Sequence, residues 1–542
     1  MEESHMAGMI VAPQPDAVEA GARILATGGN AFDAAVACAG VQFLVDPHSC
    51  GVGGYMVMAY HLADSQTTQP VLDAPATAGS GVWPEMWEQR VIGPNPRGWG
   101  FFLEDKINED GYQAICTPGM MRGVEIVLNR WCTKSLSELW DTAIRLGREG
   151  WPVSGGMAAR WKEPPMYYET SSLRQKLDVT PDVQRIYVKP DGATLEMGEL
   201  LRNPDYSRTL ERIAAGGVED FYSGELAHEM TRDLADHHAW VTAEDLQNYQ
   251  VREEAPVTTD YRGLTVVSSQ PPHGGPTLLA ILNILEGYDL PALDHNSPDY
   301  IYLVSMAMKA AFADRNRHLA DPQFVEVPLD WLTSKQRAAQ WREIIDRGEP
   351  IDVGRRQHDT PDTTHVTVVD DAGNCVSLTH SLGTSSGVIS PGLGFMYNNS
   401  MVNFEPQSGH PNSIAPGKGR TTGMTPTMVF KGDRPMLILG APGATRITTS
   451  VLQVMLNQID FGMSISDAVL APRFDCQGDE IVCQSRITQQ VCDAVHTRHT
   501  TQRMYQSHSG MALVHAIAID EATGDLSGAA DAGAEGMALR VD

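Results

Sequence analysis

The sequence lacks the features that mark membrane-spanning, metal-binding and nucleotide-binding proteins. No apolar run reaches the roughly 18 to 20 residues that a transmembrane helix needs. The eight cysteines are dispersed, and no C-x-x-C pair or Cys/His cluster has zinc-site spacing. No glycine turn matches G-x-G-x-x-G, and the turn at Gly51–Gly54 precedes a strand-like segment, not a helix. We therefore predict no metal, no cofactor and no membrane partner.

Basic residues are few relative to acidic ones. The 542 residues include 40 Lys and Arg against 68 Asp and Glu, which gives a formal net charge of −28. Because nucleic-acid binding requires clustered cations that neutralise phosphates, this balance argues against DNA and RNA as partners. A spread excess of acidic residues is typical of a solvated surface.

The N-terminus has no basic segment followed by an apolar core, so we predict no signal peptide and a cytoplasmic protein. Ser4-His5-Met6 resembles a vector-derived sequence, and a removed leader is therefore the alternative. The cysteines are interpreted as mostly buried thiols, which fits a reducing compartment.

Strand-like and helix-like segments alternate in both halves of the chain. Asn30 is positioned to cap a helix of small residues, and strands are predicted at 261–268 and 395–398. Gly443-Ala444 is predicted to join a strand to a helix. This alternation predicts sheets covered by helices, in a layered α+β fold.

One segment combines a strand pattern with a hydroxyl at its start. Apolar Val366 and Val368 alternate with Thr367 and Val369, the turn Asp371–Asn374 follows, and Val376 and Leu378 resume the alternation. This pattern predicts a β-hairpin. The preceding segment, Gly348–Asp362, is polar and aperiodic, which is typical of an exposed, cleavable linker.

Cleavage before Thr363 would place a free α-amine beside the hydroxyl of that residue. An α-amine has a pKa of about 7.7 to 8.0 and can accept and return a proton near neutral pH. A threonine hydroxyl is a weak nucleophile that needs such a base. Taken alone, Thr363 and Thr364 are also explained as β-forming residues that open a strand.

Several segments spaced along the chain form a recognisable set. The first group is Pro15–Gly21, Gly28–Ala37, Asp46–Tyr55, Thr117–Gly119, Ala143–Ser154 and Ala311–Arg315. The second group is Asp362–Asp370, Asn398–Met401 and Gly440–Arg446. The first group resembles the large subunit of the gamma-glutamyltranspeptidase family and the second its small subunit, in the family's order and over almost the whole chain.

The resemblance implies an N-terminal-nucleophile hydrolase with a four-layer αββα sandwich, made as an inactive precursor. It implies self-cleavage before Thr363 into a large subunit, residues 1–362, and a small, catalytic subunit, residues 363–542. The two subunits would stay associated as one αββα unit, and a homodimer of this unit is compatible with the resemblance. Because the mechanism requires no histidine, His365 is interpreted as structural.

The resemblance also implies positions for the remaining catalytic groups. The backbone N–H groups of Gly443 and Ala444 would form the oxyanion hole, with a helix dipole behind them. The family has two glycines there, and alanine retains the N–H. Ser381, a catalytic position, and Gly383, a substrate-binding position, stand where many members have Thr and Asn. Taken alone, Gly443-Ala444 is better explained as a strand-to-helix turn without a catalytic role.

The substrate-binding positions depart from the family pattern. Leu72–Ala78 stands where the family has Arg-Glu-Met-Ala-Pro, so the arginine for the glutamyl α-carboxylate is missing. Asn403 replaces the acid that holds the glutamyl α-amine, Ser400 replaces a glutamine or glutamate, and Thr422-Gly423 replaces paired serines. Since each charged hydrogen bond contributes about 1.5 to 3 kcal/mol, we expect γ-glutamyl binding to weaken by several powers of ten.

We therefore predict an amidohydrolase or acylase that cleaves a small, non-glutamyl acyl group through an acyl-Thr363 ester. The first alternative is a γ-glutamyl hydrolase or transpeptidase for glutathione-like donors, with Arg90 or Arg97 compensating for the missing arginine. The second is hydrolytic carbon–carbon cleavage next to a keto group, which uses the same oxyanion chemistry. The non-enzymatic alternative is an unprocessed binding or scaffold protein.

Overall fold

The computed structural model describes residues 8–65, 70–95, 100–165, 169–354, 362–505 and 510–542. Three features considered in the sequence analysis lie outside these residues. They are Ser4–Met6, Arg97 and the part of the predicted linker at 355–361.

The described residues form strands and helices along the whole chain. The strands are β1 Gly8–Ala12, β2 Tyr55–His61, β3 Val71–Ala74, β4 Val91–Pro94, β5 Phe101–Leu103, β6 Trp151–Pro152, β7 Leu200–Leu201, β8 Arg252–Glu254, β9 Val257–Tyr261, β10 Leu264–Ser268, β11 Thr364–Val369, β12 Cys375–Ser381, β13 Thr427–Lys431, β14 Arg434–Gly440, β15 Phe474–Asp475, β16 Ile481–Cys483, β17 Thr501–Arg503, β18 His515–Ile519, β19 Leu526–Ala530 and β20 Met537–Val541. The helices are α1 Pro15–Ala26, α2 Ala31–Val45, α3 Met120–Arg130, α4 Leu136–Leu139, α5 Asp141–Glu149, α6 Gly155–Arg160, α7 Leu173–Lys176, α8 Pro181–Tyr187, α9 Pro204–Gly216, α10 Glu219–Tyr222, α11 Glu225–Asp236, α12 Ala243–Gln247, α13 Gly275–Leu285, α14 Pro298–His318, α15 Leu329–Leu332, α16 Lys335–Asp346, α17 Arg446–Ile459, α18 Ile465–Leu470 and α19 Gln489–His496.

Two antiparallel sheets form the centre of the fold. The first sheet has the strand order β20-β1-β11-β12-β2-β3-β8, and the second has the order β19-β18-β14-β13-β10-β9. Buried side chains from both sheets, including Val57, Met428 and Ile438, pack together between them. Helices α1 and α2 cover the outer face of the first sheet, and α13, α14 and α17 cover the second. This arrangement confirms the predicted αββα sandwich.

The predicted hairpin is present as β11 and β12, and its alternation separates two environments. Val366 and Val368 point outward into the core beneath the helices. His365 and Thr367 alternate with them and therefore face the second sheet. The Thr367 hydroxyl donates across this interface to the backbone oxygen of His515, at 3.2 Å. The strand thus presents its polar face to the layer between the sheets.

The helix predicted to begin at the Asn30 cap is confirmed. The strand predicted at 261–268 is interrupted, and the strand predicted at 395–398 is absent. The Asn30 side chain accepts hydrogen bonds from the backbone N–H groups of Phe32 and Asp33 at the start of α2. The segment 261–268 is broken because Arg262 and Gly263 have φ of 54° and 79°, which makes the turn between β9 and β10. The segment 395–398 forms no strand and makes only a single bridge, between Tyr397 and Gly53.

The described part of the chain was predicted to have mostly buried thiols, no metal site and no membrane span. All eight cysteines are free thiols, and all except Cys132 are buried. Within the described ranges, no three His, Cys, Asp or Glu side chains are grouped to hold a metal ion. None of the helices described here is both long and apolar enough to cross a bilayer.

Candidate active site

Thr363 lies immediately before β11 and is buried, with 8% of its surface exposed. Its hydroxyl donates a hydrogen bond of 2.7 Å to the backbone oxygen of Asp362. The same hydroxyl lies 3.2 Å from Oγ of Ser381, the last residue of β12. The neighbouring strand therefore holds the hydroxyl of Thr363 next to the peptide bond that precedes it.

Ser381 connects the carbonyl group of Asp362 to the following turn. Its hydroxyl donates to the backbone oxygen of Asp362 at 2.8 Å and accepts from the backbone N–H of Gly383 at 2.8 Å. Gly383 has a φ of 75°, a left-handed conformation that favours glycine. The carbonyl oxygen before Thr363 thus accepts hydrogen bonds from two hydroxyl groups, which polarises that carbonyl.

Arg160 at the end of α6 links two carboxylates near the same peptide bond. Its Nη2 lies 2.6 Å from Oδ1 of Asp362, and its Nη1 lies 3.3 Å from Oδ1 of Asp46. Burial disfavours the charge of Arg160, but the two carboxylates outweigh this effect and raise its pKa. Burial raises the pKa of Asp46, an effect that Arg160 opposes. The side chain of Asp362 is therefore fixed by a cation.

The turn after β14 lies at the same end of the sheet interface as Thr363. The Ser377 hydroxyl donates to the backbone oxygen of Leu439 at 3.0 Å. One row further along the first sheet, the His365 ring lies against Gly440, where an added Cβ would come within 2.2 Å of the ring. Thr363 precedes His365 by two residues, so both side chains lie on the same face of the sheet. The next cross-strand pair therefore places Thr363 beside the segment that follows Gly440.

His365 is held by hydroxyl groups on both sides of its ring. Its Nδ1 lies 2.9 Å from Oγ1 of Thr379, and its Nε2 lies 2.9 Å from Oγ1 of Thr367. Burial lowers the pKa of His365 well below its usual range, with contributions from His515 and His380. A neutral imidazole with these contacts stabilises the layer between the sheets, which agrees with the structural interpretation.

Gly443 and Ala444 both have positive φ values, 137° and 57°. Among the described residues, no backbone acceptor binds the N–H of either one. Helix α17 begins two residues later, so both N–H groups lie near the positive end of a helix dipole. Two unsatisfied donors in a turn of this shape form a suitable site for an oxyanion.

We expect Ala444→Gly to stabilise the protein. Ala444 is in the left-handed region, which is unfavourable for a residue with a Cβ, so glycine should raise the free energy of unfolding by about 1 kcal/mol. Urea denaturation measures this change in a Thr363→Ala background, which lacks the candidate nucleophile for cleavage. Ala441→Gly is the control because Ala441 is buried and has no positive φ, so this variant should be destabilised. If both variants were equally destabilised, the backbone of Ala444 would not be strained.

Two of the substrate positions predicted from the sequence lie against this turn. A Cβ on Gly423 would come within 2.1 Å of the backbone oxygen of Ala444, so only glycine fits there. Thr422 is buried, and its backbone oxygen accepts a hydrogen bond of 3.1 Å from Nη2 of Arg315. Arg315, which sequence reasoning did not assign to the site, therefore fixes this loop.

Ser400 and Asn403 lie in a short 3-10 helix beside the Ser381 turn. The preceding residue, Asn399, donates its backbone N–H to the oxygen of Leu382 at 3.0 Å. The Ser400 hydroxyl is buried, and no described group hydrogen-bonds to it. The Asn403 backbone oxygen accepts from Nδ2 of Asn412 at 2.7 Å. The structure thus brings both residues to the edge of the site.

Arg420 is a cation near the site that sequence reasoning missed. It is 2% exposed, and its guanidinium carbon lies 4.6 Å above the ring of Tyr55, whose hydroxyl it also contacts. Tyr55 pairs in register with Ser381, which neighbours Thr363, so about 10 Å of sheet separates Tyr55 from Thr363. Burial lowers the pKa of Arg420 to about 9. The sequence feature that could have pointed to Arg420 is its position in a glycine-rich loop just before Thr422.

Arg90, one of the two arginines considered as substitutes for the missing family arginine, binds two acidic side chains. Its Nη2 lies 2.9 Å from Oδ2 of Asp105, and its Nε lies 3.8 Å from Glu104. More than a third of the Asp105 and Glu104 side chains is exposed, so this is a surface ion pair. Arg90 therefore binds surface carboxylates, whereas Arg420 is buried beside Tyr55, the register partner of Ser381.

Known proteins resemble the chain over most of its length. A family model described as Gamma-glutamyltranspeptidase matches residues 17–541. The "Acylase ACY 1 proenzyme" of Pseudomonas sp. (strain V22) is 35% identical, covering 98% of this chain and 93% of that protein. The "Glutathione hydrolase proenzyme" of Pseudomonas sp. (strain A14) is 34% identical, covering 87% and 81%. The solved cephalosporin acylase from Bacillus halodurans has a TM-score of 0.86 and 27% identity, covering 99% and 96%.

Proposed function

Because the chain belongs to the gamma-glutamyltranspeptidase family of N-terminal-nucleophile enzymes, which hydrolyse amide bonds, we propose that it is a self-processing acylase with Thr363 as its nucleophile. Cleavage before Thr363 yields residues 1–362 and 363–542. The observation that supports this proposal is the pair of hydroxyl groups, from Thr363 and Ser381, that both donate to the carbonyl oxygen of Asp362.

Processing follows from the chemistry of that carbonyl group. Oγ1 of Thr363 attacks the carbonyl carbon of Asp362, and the Ser381 hydroxyl stabilises the negative oxygen. The C–N bond breaks, the proton released by Oγ1 passes to the nitrogen, and an ester links Asp362 to Thr363. Water hydrolyses this ester and releases the Asp362 carboxylate together with the free α-amine and hydroxyl of Thr363.

Turnover uses the groups that processing releases. The α-amine of Thr363 accepts the proton of its own hydroxyl as Oγ1 attacks the amide carbon of the substrate. The N–H groups of Gly443 and Ala444 stabilise the oxyanion. The amine returns the proton to the leaving nitrogen, and water then hydrolyses the acyl-Thr363 ester by the same steps.

The acyl group is proposed to be small and not glutamyl. Ser400 and Asn403 are uncharged at positions where the family holds the glutamyl α-amine, so an ammonium group there would lack a charged acceptor. The relative that is 35% identical over 98% of this chain is named an acylase proenzyme. A small-molecule amide without an α-amine therefore agrees best with the residues at this site.

A γ-glutamyl substrate is the second candidate, and Arg420 is the observation that favours it. A buried guanidinium group stacked on Tyr55 could bind the α-carboxylate that the missing family arginine would otherwise bind. The relative named a glutathione hydrolase proenzyme is 34% identical. This candidate still leaves the α-amine without an acid.

A panel of 4-nitroanilides distinguishes the two candidates. We expect kcat/KM for a short acyl anilide, such as butanoyl, to exceed that for the γ-glutamyl anilide by at least about a hundredfold, because the lost charged contacts are together worth about 3 kcal/mol or more. Keto acids belong in the same panel to test carbon–carbon cleavage. Efficient release of nitroaniline from the γ-glutamyl compound, abolished by Arg420→Met, would instead support the second candidate.

A further inference from the structure

Arg160 is the centre of a polar network beside the peptide bond that is proposed to be cut. Its Nη2 forms an ion pair of 2.6 Å with Oδ1 of Asp362. Its Nη1 donates to Oδ1 of Asp46, the cap at the end of α2, at 3.3 Å, and to the hydroxyl of Ser49 at 3.4 Å. Asp46 and Ser49 are buried, so these contacts fix the guanidinium group against the interior of the protein.

The same network reaches the residue that follows Thr363. The second carboxylate oxygen of Asp46 accepts a hydrogen bond from Nε2 of Gln14 at 2.9 Å. Oε1 of Gln14 accepts the hydroxyl of Thr364 at 3.2 Å. Thr364 is the first residue of β11, and its side chain points away from that of Thr363 because successive side chains of a strand alternate. One network therefore holds both neighbours of Thr363.

The turn that carries Asp46 and Ser49 also contacts the strand that supplies the second hydroxyl. The backbone oxygen of Ser49 accepts the N–H of Leu382 at 2.8 Å, and Leu382 directly follows Ser381. The Ser381 hydroxyl donates to the carbonyl oxygen of Asp362. The guanidinium group and this hydroxyl are thus anchored to one short segment, so the side chain and the carbonyl oxygen of Asp362 are fixed relative to each other.

Asp362 needs such contacts because it lies outside the sheet. Among the described strands, β11 begins to pair with β12 only at Thr364, which lies opposite His380, so side-chain contacts must orient the carbonyl group of Asp362. Attack by Oγ1 of Thr363 requires close alignment, and a misplacement of about 1 Å can reduce a rate about a hundredfold. We propose that Arg160 is a positioning residue for self-cleavage, which binds the Asp362 side chain and so holds the carbonyl carbon in line with the attacking hydroxyl. This inference rests on the proposed cleavage before Thr363.

The rate of self-cleavage in variants of Arg160 tests this role. On a denaturing gel sampled over time after rapid purification, Arg160→Met should slow the conversion of one band to two by between about tenfold and a hundredfold, because the attacking hydroxyl remains while its target loses alignment. Arg160→Lys keeps the positive charge and should cleave faster than Arg160→Met. Arg145→Met is the matched control and should cleave at the wild-type rate, since Arg145 forms an exposed ion pair of 3.8 Å with Glu149.

Two further measurements separate positioning from general structural damage. Asp362→Asn keeps the size of the side chain and removes its charge, so it should also slow cleavage, and it tests the ion pair even if Arg160→Met fails to fold. In the Asp362→Asn background, Arg160→Met should cause little further slowing, because both changes remove the same contact. Ethylguanidinium added to Arg160→Ala should restore part of the cleavage rate, because 26% of the Arg160 side chain is exposed and the cation can enter from solvent. It should not accelerate the wild type.

The outcomes distinguish this inference from the proposed function. If the wild type is cleaved before Thr363 and both Arg160→Met and Asp362→Asn are cleaved equally fast, the positioning role is wrong and the proposed function stands. The same conclusion follows if Arg160→Met slows cleavage by its full factor in the Asp362→Asn background, because Arg160 would then act through the stability of the fold. If the wild type is not cleaved before Thr363, the proposed function is wrong and this inference fails with it.

Discussion

A Thr363→Ala variant should remain a single chain of 59.0 kDa, whereas the wild type should separate on a denaturing gel into bands of about 39 and 20 kDa, in proportion to 362 and 180 residues. Alanine removes the hydroxyl that would attack the carbonyl carbon of Asp362. Amide hydrolysis should fall on the order of a million-fold, the loss seen when the nucleophile of a covalent mechanism is removed.

Thr363→Ser is the matched control for this experiment. It retains a hydroxyl and, after cleavage, an α-amine, so it should still yield both bands, and the smaller fragment should begin at residue 363. N-terminal sequencing of that fragment identifies the bond that is cut. If the Thr363→Ala chain also yielded fragments of about 39 and 20 kDa, Thr363 would not be the nucleophile of processing.

Removing the second hydroxyl should slow processing without abolishing it. Ser381→Ala deletes one of the two donors to the carbonyl oxygen of Asp362 and leaves the attacking hydroxyl in place. The loss of one oxyanion donor typically costs a factor of about 10² to 10³ in rate. A time course of the smaller band after rapid purification measures the rate constant for cleavage.

Two control variants show whether this loss is specific. Ser381→Thr keeps a hydroxyl at the position and should process at a rate near that of the wild type. Ser377→Ala, on the same strand, removes a buried hydroxyl that bonds Leu439 between the sheets, away from the peptide bond before Thr363. If Ser377→Ala slowed cleavage as much as Ser381→Ala, the effect would come from weaker sheet packing.

The parts of the fold that depend on residues close together in the sequence could be predicted from the sequence. The hairpin of β11 and β12 follows from period-two alternation and the turn Asp371–Asn374, and α2 follows from the cap at Asn30. The strand predicted at 395–398 is wrong because the backbone of this segment pairs with two separate loops. The N–H of Tyr397 donates to the oxygen of Val388, and the N–H of Asn398 donates to the oxygen of Gly53. A cytoplasmic location and a homodimer stay predictions.

The electrostatics of the site could not be predicted because it depends on distant parts of the chain. Arg160 meets Asp362 across about two hundred residues of sequence, and Arg420 stacks on a tyrosine of β2. No local pattern marks either arginine as a partner of the site, since arginine side chains are usually solvated. Asp73 likewise lies 3.0 Å from His273, which is about two hundred residues away in the sequence. The motif resemblance predicts the reacting groups, whereas the groups that hold them are apparent only from the packing.

The strand order of the two sheets has a consequence for a cleaved chain. In the first sheet, β1 lies between β20 and β11, and β12 lies against β2. In the second, β13 pairs with β10. A cut before Thr363 would therefore leave two polypeptides interlaced through both sheets, and neither could depart without breaking backbone ladders. Such a molecule would unfold in one cooperative transition. Its refolding would be bimolecular, because two separate chains must associate, so the yield of refolded protein would fall on dilution.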